Sequence, residues 1–188
     1  MRERLLDAAE TLFYRDGVGR TAVDAVLAEA GVSPATLYAH FGGKDQLVAA
    51  YLARRLQRWR TVWDTAIAEQ SSAEGRLLAV FDALHRFRAD QPSSTRGCAF
   101  IATAAELPGH PALDVVAADT AHLRARLHAL ALATDLDVAQ PDELAEQVLL
   151  AYDGVLSAFL RSGPGDPITR GRQLATAAIT TARETARP

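Results

Sequence analysis

Apolar residues recur at the spacing of an α-helix along nearly the whole chain, and this periodicity restricts the fold more than any other feature. Segments rich in glycine and proline interrupt the pattern, and no segment shows the alternation of a strand. The sequence therefore predicts an all-α fold of about nine helices. The first ends at Gly17, and the others span residues 21–30, 33–41, 44–69, 73–90, 96–107, 112–135, 142–161 and 167–186.

The composition is typical of a folded protein outside membranes. The chain has 188 residues, of which 49% are hydrophobic. Its longest stretch without Asp, Glu, Lys or Arg is residues 30–43, shorter than the roughly 20 apolar residues of a transmembrane helix. Charged Arg2, Glu3 and Arg4 stand where a signal peptide would be apolar. The single Cys98 excludes an intramolecular disulfide, so we expect a cytoplasmic protein.

The charge is unevenly distributed along the chain. The formal net charge is −3. Residues 1–60 contain nine Lys or Arg and seven Asp or Glu, whereas residues 61–188 contain eleven and sixteen. A surface that binds a polyanion is therefore expected in the first third of the chain.

Two short helical segments joined by Ala30-Gly31-Val32-Ser33 predict a helix-turn-helix. Gly31 can adopt the left-handed backbone conformation that the tight turn requires. Ser33 can cap the second helix, which Pro34 begins, so that its N-terminal amides and positive dipole end point at a phosphate. Thr21 is the predicted N-cap of the first short helix. The second helix is short enough to enter a major groove about 12 Å wide.

The residue identities here are more specific than the geometry. The run AGVSPATLYAHFGGKDQL, together with Leu12, Phe13, Gly17 and Thr21, closely resembles the TetR family of bacterial transcription regulators over roughly residues 4–52. The resemblance implies a three-helix DNA-binding domain with the helix-turn-helix over residues 1–46. A long helix would join it to a helical effector-binding and dimerisation domain over residues 47–188.

The resemblance also implies which residues contact double-stranded DNA. Thr21, Thr36, Tyr38, His40 and Lys44 match positions that usually contact phosphates, which accept hydrogen bonds from hydroxyl, imidazole and ammonium groups. The small side chains of the second helix favour thymine methyls over bidentate guanine recognition. The complete predicted set is Arg20, Thr21, Ser33, Pro34, Ala35, Thr36, Tyr38, Ala39, His40 and Lys44. Alternatively, Tyr38 packs against the long helix and His40 only ends its own.

A palindromic operator requires a homodimer, because one helix-turn-helix reads a half-site. Small residues on the last predicted helix and a broad apolar stripe on the helix before it favour a four-helix interface around a two-fold axis. The predicted interface residues are Val155, Leu156, Phe159, Gly171, Leu174, Ala175, Ala178, Ile179 and Ala182. These stripes could instead fill the subunit's own core.

Large apolar side chains and a few polar groups indicate a pocket for a mostly apolar effector of unknown identity. The candidates are Trp59, Trp63, Phe81, His85, Phe100, Thr103, His122, Tyr152 and Phe159, each of which could be plain core. Asp119, His122 and Arg126 lie on roughly one helical face. They could bind a polar ligand group or form an exposed salt-bridging surface.

No catalytic residue, metal or cofactor is expected. The chain lacks a GxSxG elbow, a phosphate loop and a GxGxxG fingerprint after a strand. A metal site of His85, Cys98, His110 and His122 would need four helices to converge without a recognised ligand spacing. Cys98 lies among apolar residues and is expected to be a buried small side chain rather than a redox sensor.

These features together predict a homodimeric, sequence-specific DNA-binding regulator, a repressor that an effector releases. The effector would shift the long helix from Lys44 onward and move the recognition helices out of register. One alternative is a ligand-binding or protein-interaction module with a vestigial helix-turn-helix, which Asp24 and the low positive charge favour. Another is a small helical enzyme that uses His85, His122 or Asp119.

Overall fold

The computed structural model describes residues 1–89, 97–134, 141–161 and 165–185. Across these residues it contains helices and no strand, which confirms the all-α prediction. The helices are α1 (Arg2–Asp16), α2 (Val23–Ala30), α3 (Pro34–Phe41), α4 (Lys44–Ala68), α5 (Ala73–Ala89), α6 (Ala99–Glu106), α7 (Leu113–Leu132), α8 (Pro141–Leu160) and α9 (Pro167–Thr185). Within this described part, none of them is long and apolar enough to cross a membrane.

Most helix ends lie within two residues of their predicted positions. The exceptions are the start of α6 at Ala99 and the end of α7 at Leu132. Gly97 has a φ of +69°, which a right-handed helix does not contain, so α6 begins after it. The predicted loop at 91–95 and parts of the predicted loops at 138–141 and 163–167 lie outside the described residues.

The chain divides into two compact units. The first contains Met1–Gln57 and the described residues of Ser93–Asp119, and the second contains the described residues of Arg58–Pro92 and Thr120–Pro188. Helices α4 and α7 each supply residues to both units. The predicted functional division between residues 46 and 47 stays a prediction, because grouping by contact does not test it.

Helix α1 lies at the centre of the first unit, where it packs against α2 and α3. Its predicted apolar stripe of Leu5, Leu6, Ala9, Leu12 and Phe13 is buried. The first turns of α4 bury Leu47, Val48, Tyr51 and Leu52, and the Tyr51 ring meets Phe13 edge-on at 5.7 Å between centroids. These contacts hold the helix-turn-helix on an apolar base.

Helices α5, α8 and α9 pack together in the second unit. Gly171 permits this, because a Cβ there would overlap Val155 of α8 and lie 3.0 Å from Phe81 of α5. Trp63 of α4 and Leu144 of α8 are also fully buried in this unit. The close approach of α9 to its neighbours therefore depends on a missing side chain.

Thr21 does not cap α2, so that prediction is wrong. The N-cap is Ala22, which makes no side-chain capping hydrogen bond. The buried Thr21 hydroxyl donates to the carbonyl oxygen of Gly17 at 2.6 Å instead. The Thr21 side chain therefore bonds to Gly17, the residue after α1, and not to the first turn of α2.

We expect Thr21→Val to lower the free energy of unfolding by about 1 kcal/mol, because it removes a buried hydrogen bond without changing side-chain shape. Thr11 provides a matched control, since its hydroxyl also donates four residues back, to Asp7 at 3.0 Å, but on an exposed surface. Thr11→Val should change stability by less than about 0.5 kcal/mol. Urea unfolding followed by circular dichroism measures both, and equal losses would contradict the assignment.

Candidate functional site

The turn between α2 and α3 has the geometry that the sequence predicts. Gly31 adopts the left-handed conformation with φ 60° and ψ 46°. Its amide donates to Ala28 at 3.1 Å, and the amide of Val32 donates to Leu27 at 3.1 Å, which ends α2. A Cβ at Gly31 would lie 2.7 Å from a guanidinium nitrogen of Arg4. Both backbone conformation and space therefore require glycine.

Ser33 caps α3 as predicted. Its hydroxyl accepts a hydrogen bond from the amide of Thr36 at 3.4 Å, and Pro34 occupies the first turn. The helix ends at Gly42, whose φ of +74° is again left-handed. Caps at both ends hold α3 to two turns, with exposed Pro34 and Ala35 at its N-terminus.

One side of α3 is buried and the other faces solvent. Leu37 and Phe41 point into the first unit. Tyr38 is 65% exposed, which excludes the alternative that it packs against α4 in this structure. The α3 surface, as we define it, consists of exposed Ser33, Pro34, Ala35, Tyr38, Ala39 and His40 with half-buried Thr36. Seven predicted DNA-contact residues thus share one short exposed segment.

The remaining three predicted contacts have different surroundings. Arg20 is exposed. Lys44 begins α4, and its ammonium donates to the carbonyl oxygen of Val18 at 2.8 Å. Because an ammonium has three donor hydrogens, this bond leaves two for another acceptor. Thr21 is buried with its hydroxyl engaged, so a phosphate contact of that hydroxyl stays a prediction that this conformation does not favour.

An ion-pair cluster between α1 and α4 is absent from the sequence-based predictions. The Arg54 guanidinium donates to Asp7 at 2.7 Å and to Glu10 at 2.8 Å. Burial disfavours its charge, but the hydrogen bond to Asp7 and the charge of Glu10 hold the pKa of Arg54 above its usual value. Arg55 lies over the Tyr14 ring at 4.4 Å. The only sequence signal was the helical spacing of acidic residues along α1.

Two further contacts join the end of α6 and the turn after it to the base of the helix-turn-helix within the first unit. The Glu106 carboxylate accepts a hydrogen bond from the amide of Gly19 at 3.1 Å. Nε2 of His110 lies 3.1 Å from Asp45 in the first turn of α4, while Nδ1 accepts from the amide of Ala112. Sequence reasoning missed both contacts because their partners are more than sixty residues apart.

The predicted pocket residues do not all come together. Trp59 contacts Trp63, Phe87 and Tyr152, with ring centroids 5.6–5.9 Å apart, in the second unit. His85 is exposed. Phe81 is buried beside Gly171, and Phe159 lies beneath the Arg88 guanidinium. Trp59, Trp63, Phe87 and Tyr152 therefore form one packed aromatic group, which contains three of the predicted pocket residues.

Phe100 and Thr103 belong to the first unit and are buried there. Thr103 lines a cavity of about 10 Å³ with Phe13, Tyr14, Val18, Tyr51, Ala99, Ala102 and Glu106. This volume is room for a single water molecule. The cavity is therefore too small for the predicted effector.

His122 and Arg126 lie in the second unit, whereas Asp119 belongs to the first. The Arg126 guanidinium pairs with Asp64 and lies 5.2 Å from the centre of the Trp63 ring. The His122 ring meets Trp63 edge-on at 6.0 Å. Burial and the nearby positive charges of Arg60 and Arg126 hold the pKa of His122 below its usual value. His122 is therefore neutral near pH 7.

Cys98 and the histidines show no metal-binding arrangement. Over the described residues, no group of three or more His, Cys, Asp and Glu side chains is placed to hold a metal ion. Burial raises the pKa of the Cys98 thiol, which makes it a poor nucleophile.

The predicted interface residues fall into two groups. Val155, Leu156, Gly171, Ala175 and Ile179 are buried within their own chain. Phe159, Ala178 and Ala182 are half-buried, and Leu174 is 66% exposed. The small residues of α9 thus serve packing inside the second unit, and contact of the nine with a partner stays a prediction.

Known proteins match the helix-turn-helix in sequence and the whole chain in structure. A family profile described as "Bacterial regulatory proteins, tetR family" matches residues 5–51. The crystal structure of sav143, a TetR-type transcriptional regulator from Streptomyces avermitilis, is 34% identical with a TM-score of 0.75, and the match covers 98% of this chain and 97% of that chain. SCO4454, a TetR-family regulator from Streptomyces coelicolor, is 28% identical with a TM-score of 0.82 over 98% and 95%.

A curated relative matches over a shorter stretch. The HTH-type transcriptional regulator SrpR of Pseudomonas putida is 32% identical over 84 residues, which make up 45% of this chain. The chain spans about 39% of the length of this relative.

A capped recognition helix after a left-handed glycine turn, within an entirely helical described fold, defines a helix-turn-helix protein of the bacterial regulator class. The identity to sav143 over nearly the full length of both chains makes the assignment more specific. The chain belongs to the TetR family of bacterial regulatory proteins.

We expect Ser33→Ala to lower the free energy of unfolding by about 1 kcal/mol, because the amide of Thr36 loses its capping acceptor. Ser33→Asp should keep the stability, since Asp also caps helices. Ser71→Ala, at an exposed position outside the helices, is the control and should be neutral within about 0.5 kcal/mol. Urea unfolding measures the free energy of unfolding of each variant. An unchanged value for Ser33→Ala would show that the cap does not stabilise the protein.

Proposed function

We propose that the protein is a homodimeric, sequence-specific regulator that binds a palindromic operator on double-stranded DNA and represses its target genes. The observation that carries this proposal is the α3 surface, one side of a capped two-turn helix on which six of the seven predicted contact residues are exposed. A dimer bound over a promoter would exclude the polymerase, and a small-molecule effector would release it. We infer a cytoplasmic location and a non-enzymatic role from the same reading.

The proposed contacts divide by chemistry. Phosphates would receive hydrogen bonds from Thr36, Tyr38, His40 and the two remaining donor hydrogens of Lys44. The first turn of α3 would approach base edges, where Pro34, Ala35, Thr36 and Ala39 suit thymine methyls better than bidentate guanine. The positive end of the α3 helix dipole at this exposed N-terminus also favours a phosphate. Asp24, exposed on α2, repels phosphate and limits how closely that helix approaches the DNA.

Tyr38→Phe should weaken operator binding by about tenfold or more, because each half-site loses one hydrogen bond to a phosphate. The ring is 65% exposed, so the melting temperature should not change. Gel-shift titration on the duplex upstream of the protein's own gene, beside a scrambled duplex, measures the effect. Unchanged binding by a folded variant would remove Tyr38 from the interface.

The salt dependence of the same titration separates operator recognition from simple charge attraction. Arg20→Gln should lower the slope of log K against log salt by about 1 for each half-site. Arg124→Gln removes an equal charge from an exposed position of α7 in the second unit and should leave the slope unchanged. Equal binding of both duplexes, lost together at about 150 mM salt, would favour the vestigial-motif alternative.

We place the dimer contact on the exposed sides of α8 and α9. Leu150 of α8 is 67% exposed and Leu174 of α9 is 66% exposed, although both are large apolar side chains. Burying such leucines between two copies is the usual way to form a stable homodimer. We add Leu150 to the nine predicted interface residues, among which Leu174 is the exposed one.

Leu174→Glu should convert the dimer into a monomer and reduce operator binding about a hundredfold, because a buried charge opposes association and a monomer reads one half-site. Leu132→Glu is the matched control, since Leu132 is 55% exposed on α7 and lies outside the proposed contact. Analytical ultracentrifugation measures both. A dimeric Leu174→Glu variant would place the interface elsewhere.

A further inference from the structure

Three polar atoms in the second unit have no hydrogen-bond partner within the part of the chain that the structure describes. They are Nε1 of Trp63, Nε of Arg60 and Nε2 of His122, and all three are buried. The Trp63 side chain is 0% exposed. Proteins rarely leave buried donors without acceptors, because the lost hydration is not replaced. Three such atoms in one place indicate that an acceptor belongs there.

These atoms come from two facing stretches of helix. Arg60 and Trp63 are three residues apart on α4, and His122 and Arg126 are four apart on α7, so each pair shares one helical face. The rings of Trp63 and His122 are 6.0 Å apart and perpendicular. The Arg126 guanidinium lies 5.2 Å from the Trp63 ring. Helices α4 and α7 thus meet around Trp63.

The charges of this cluster do not balance. Arg126 pairs with Asp64, which cancels one positive charge. Half-buried Arg60 makes no hydrogen bond or ion pair with any described residue. Because burial and the two arginines lower the pKa of His122, its imidazole adds no charge near pH 7. One uncompensated positive charge remains, on a residue whose Nε is out of solvent.

We propose that Arg60, Trp63 and His122 bind the carboxylate of a small organic monoanion, and that the effector is such a compound. This inference rests on the proposed function, because it names the chemical class of the effector. A carboxylate supplies one negative charge and two acceptor oxygens for the Arg60 and Trp63 N–H groups. Neutral His122 can donate from Nε2. The neighbouring Trp59 and Tyr152 rings favour an apolar body on the acid.

The direct test is calorimetry on the intact chain with acetate, butyrate, benzoate and phenylacetate, each beside its neutral amide. At least one carboxylate should bind saturably, one per protomer, and at least about tenfold more tightly than its amide. Inorganic phosphate should not compete, since it brings more negative charge than the site compensates. The pKa of His122, followed by NMR, should rise on binding because an adjacent anion favours imidazolium.

Variants assign the binding to these residues. Arg60→Gln and Trp63→Phe should each weaken carboxylate binding about tenfold or more, because each removes one donor to the anion. Arg60→Lys keeps the positive charge but loses the paired N–H donors of the guanidinium. Its affinity for the carboxylate should lie between those of the parent and of Arg60→Gln. Arg124→Gln, on the same helix as His122 but exposed, should bind as the parent does. Melting temperatures confirm that each variant is folded.

The proposal is overturned if none of the four carboxylates binds, if amides bind equally well, if phosphate competes, or if folded Arg60→Gln binds unchanged. Operator titration with the same preparation separates this failure from that of the proposed function. Operator binding without carboxylate binding would reject the subsite alone. Carboxylate binding without operator binding would reject the regulator and keep the subsite. A bound carboxylate that lowers operator affinity supports both.

Discussion

The apolar stripe of α4 is the constraint on which both compact units depend. Leu47, Tyr51 and Leu52 are buried in the part of the helix that belongs to the first unit, and Trp59 and Trp63 in the part that belongs to the second. The stripe keeps helical spacing across 25 residues. Because consecutive residues are rotated by about 100°, inserting one residue within α4 would turn one of these sets away from its core. The number of residues between the two buried sets therefore determines which side of α4 each set occupies.

Local structure was predictable wherever the cause is itself local. The left-handed turn at Gly31 and the Ser33 cap follow from the conformational freedom of one residue and a hydrogen bond three residues long. Thr21 shows the limit of such reasoning. Its hydroxyl could either accept a hydrogen bond from an amide in the first turn of α2 or donate one to the carbonyl of Gly17. In the structure it donates to Gly17. The sequence shows that both hydrogen bonds are possible, but it does not show which one forms.

Contacts between distant segments were not predictable in the same way. Arg54 meets Asp7 across 47 residues, and Glu106 meets Gly19 across 87. The small residues of α9 illustrate the related difficulty for interfaces. Gly171 allows a close helix neighbour, but only the folded chain shows that the neighbour is α8 of the same protomer. The spacing of residues predicts that one face of a helix is packed. Which helix packs against that face depends on the topology of the whole chain.

Polar groups distinguish the two units in another respect. In the first unit, Glu106, His110 and Lys44 engage backbone or ionic partners around the base of the helix-turn-helix. In the second unit, Trp63 and Arg60 keep buried donors without described partners. The first unit also contains one such atom, Nε of Arg54, but the other nitrogens of that guanidinium donate to Asp7 and Glu10. Buried donors without acceptors leave free energy available to a ligand that supplies them. The unpartnered donors of the second unit therefore support the effector subsite proposed there.

Both tryptophans of the chain, Trp59 and Trp63, lie in the second unit. The first unit contains Tyr14, Tyr38 and Tyr51 but no indole. Intrinsic fluorescence excited beyond the absorption of tyrosine therefore originates in the second unit alone. The two indoles therefore report on the second unit, next to His122, and an event confined to α3 changes their emission only if it also alters the second unit.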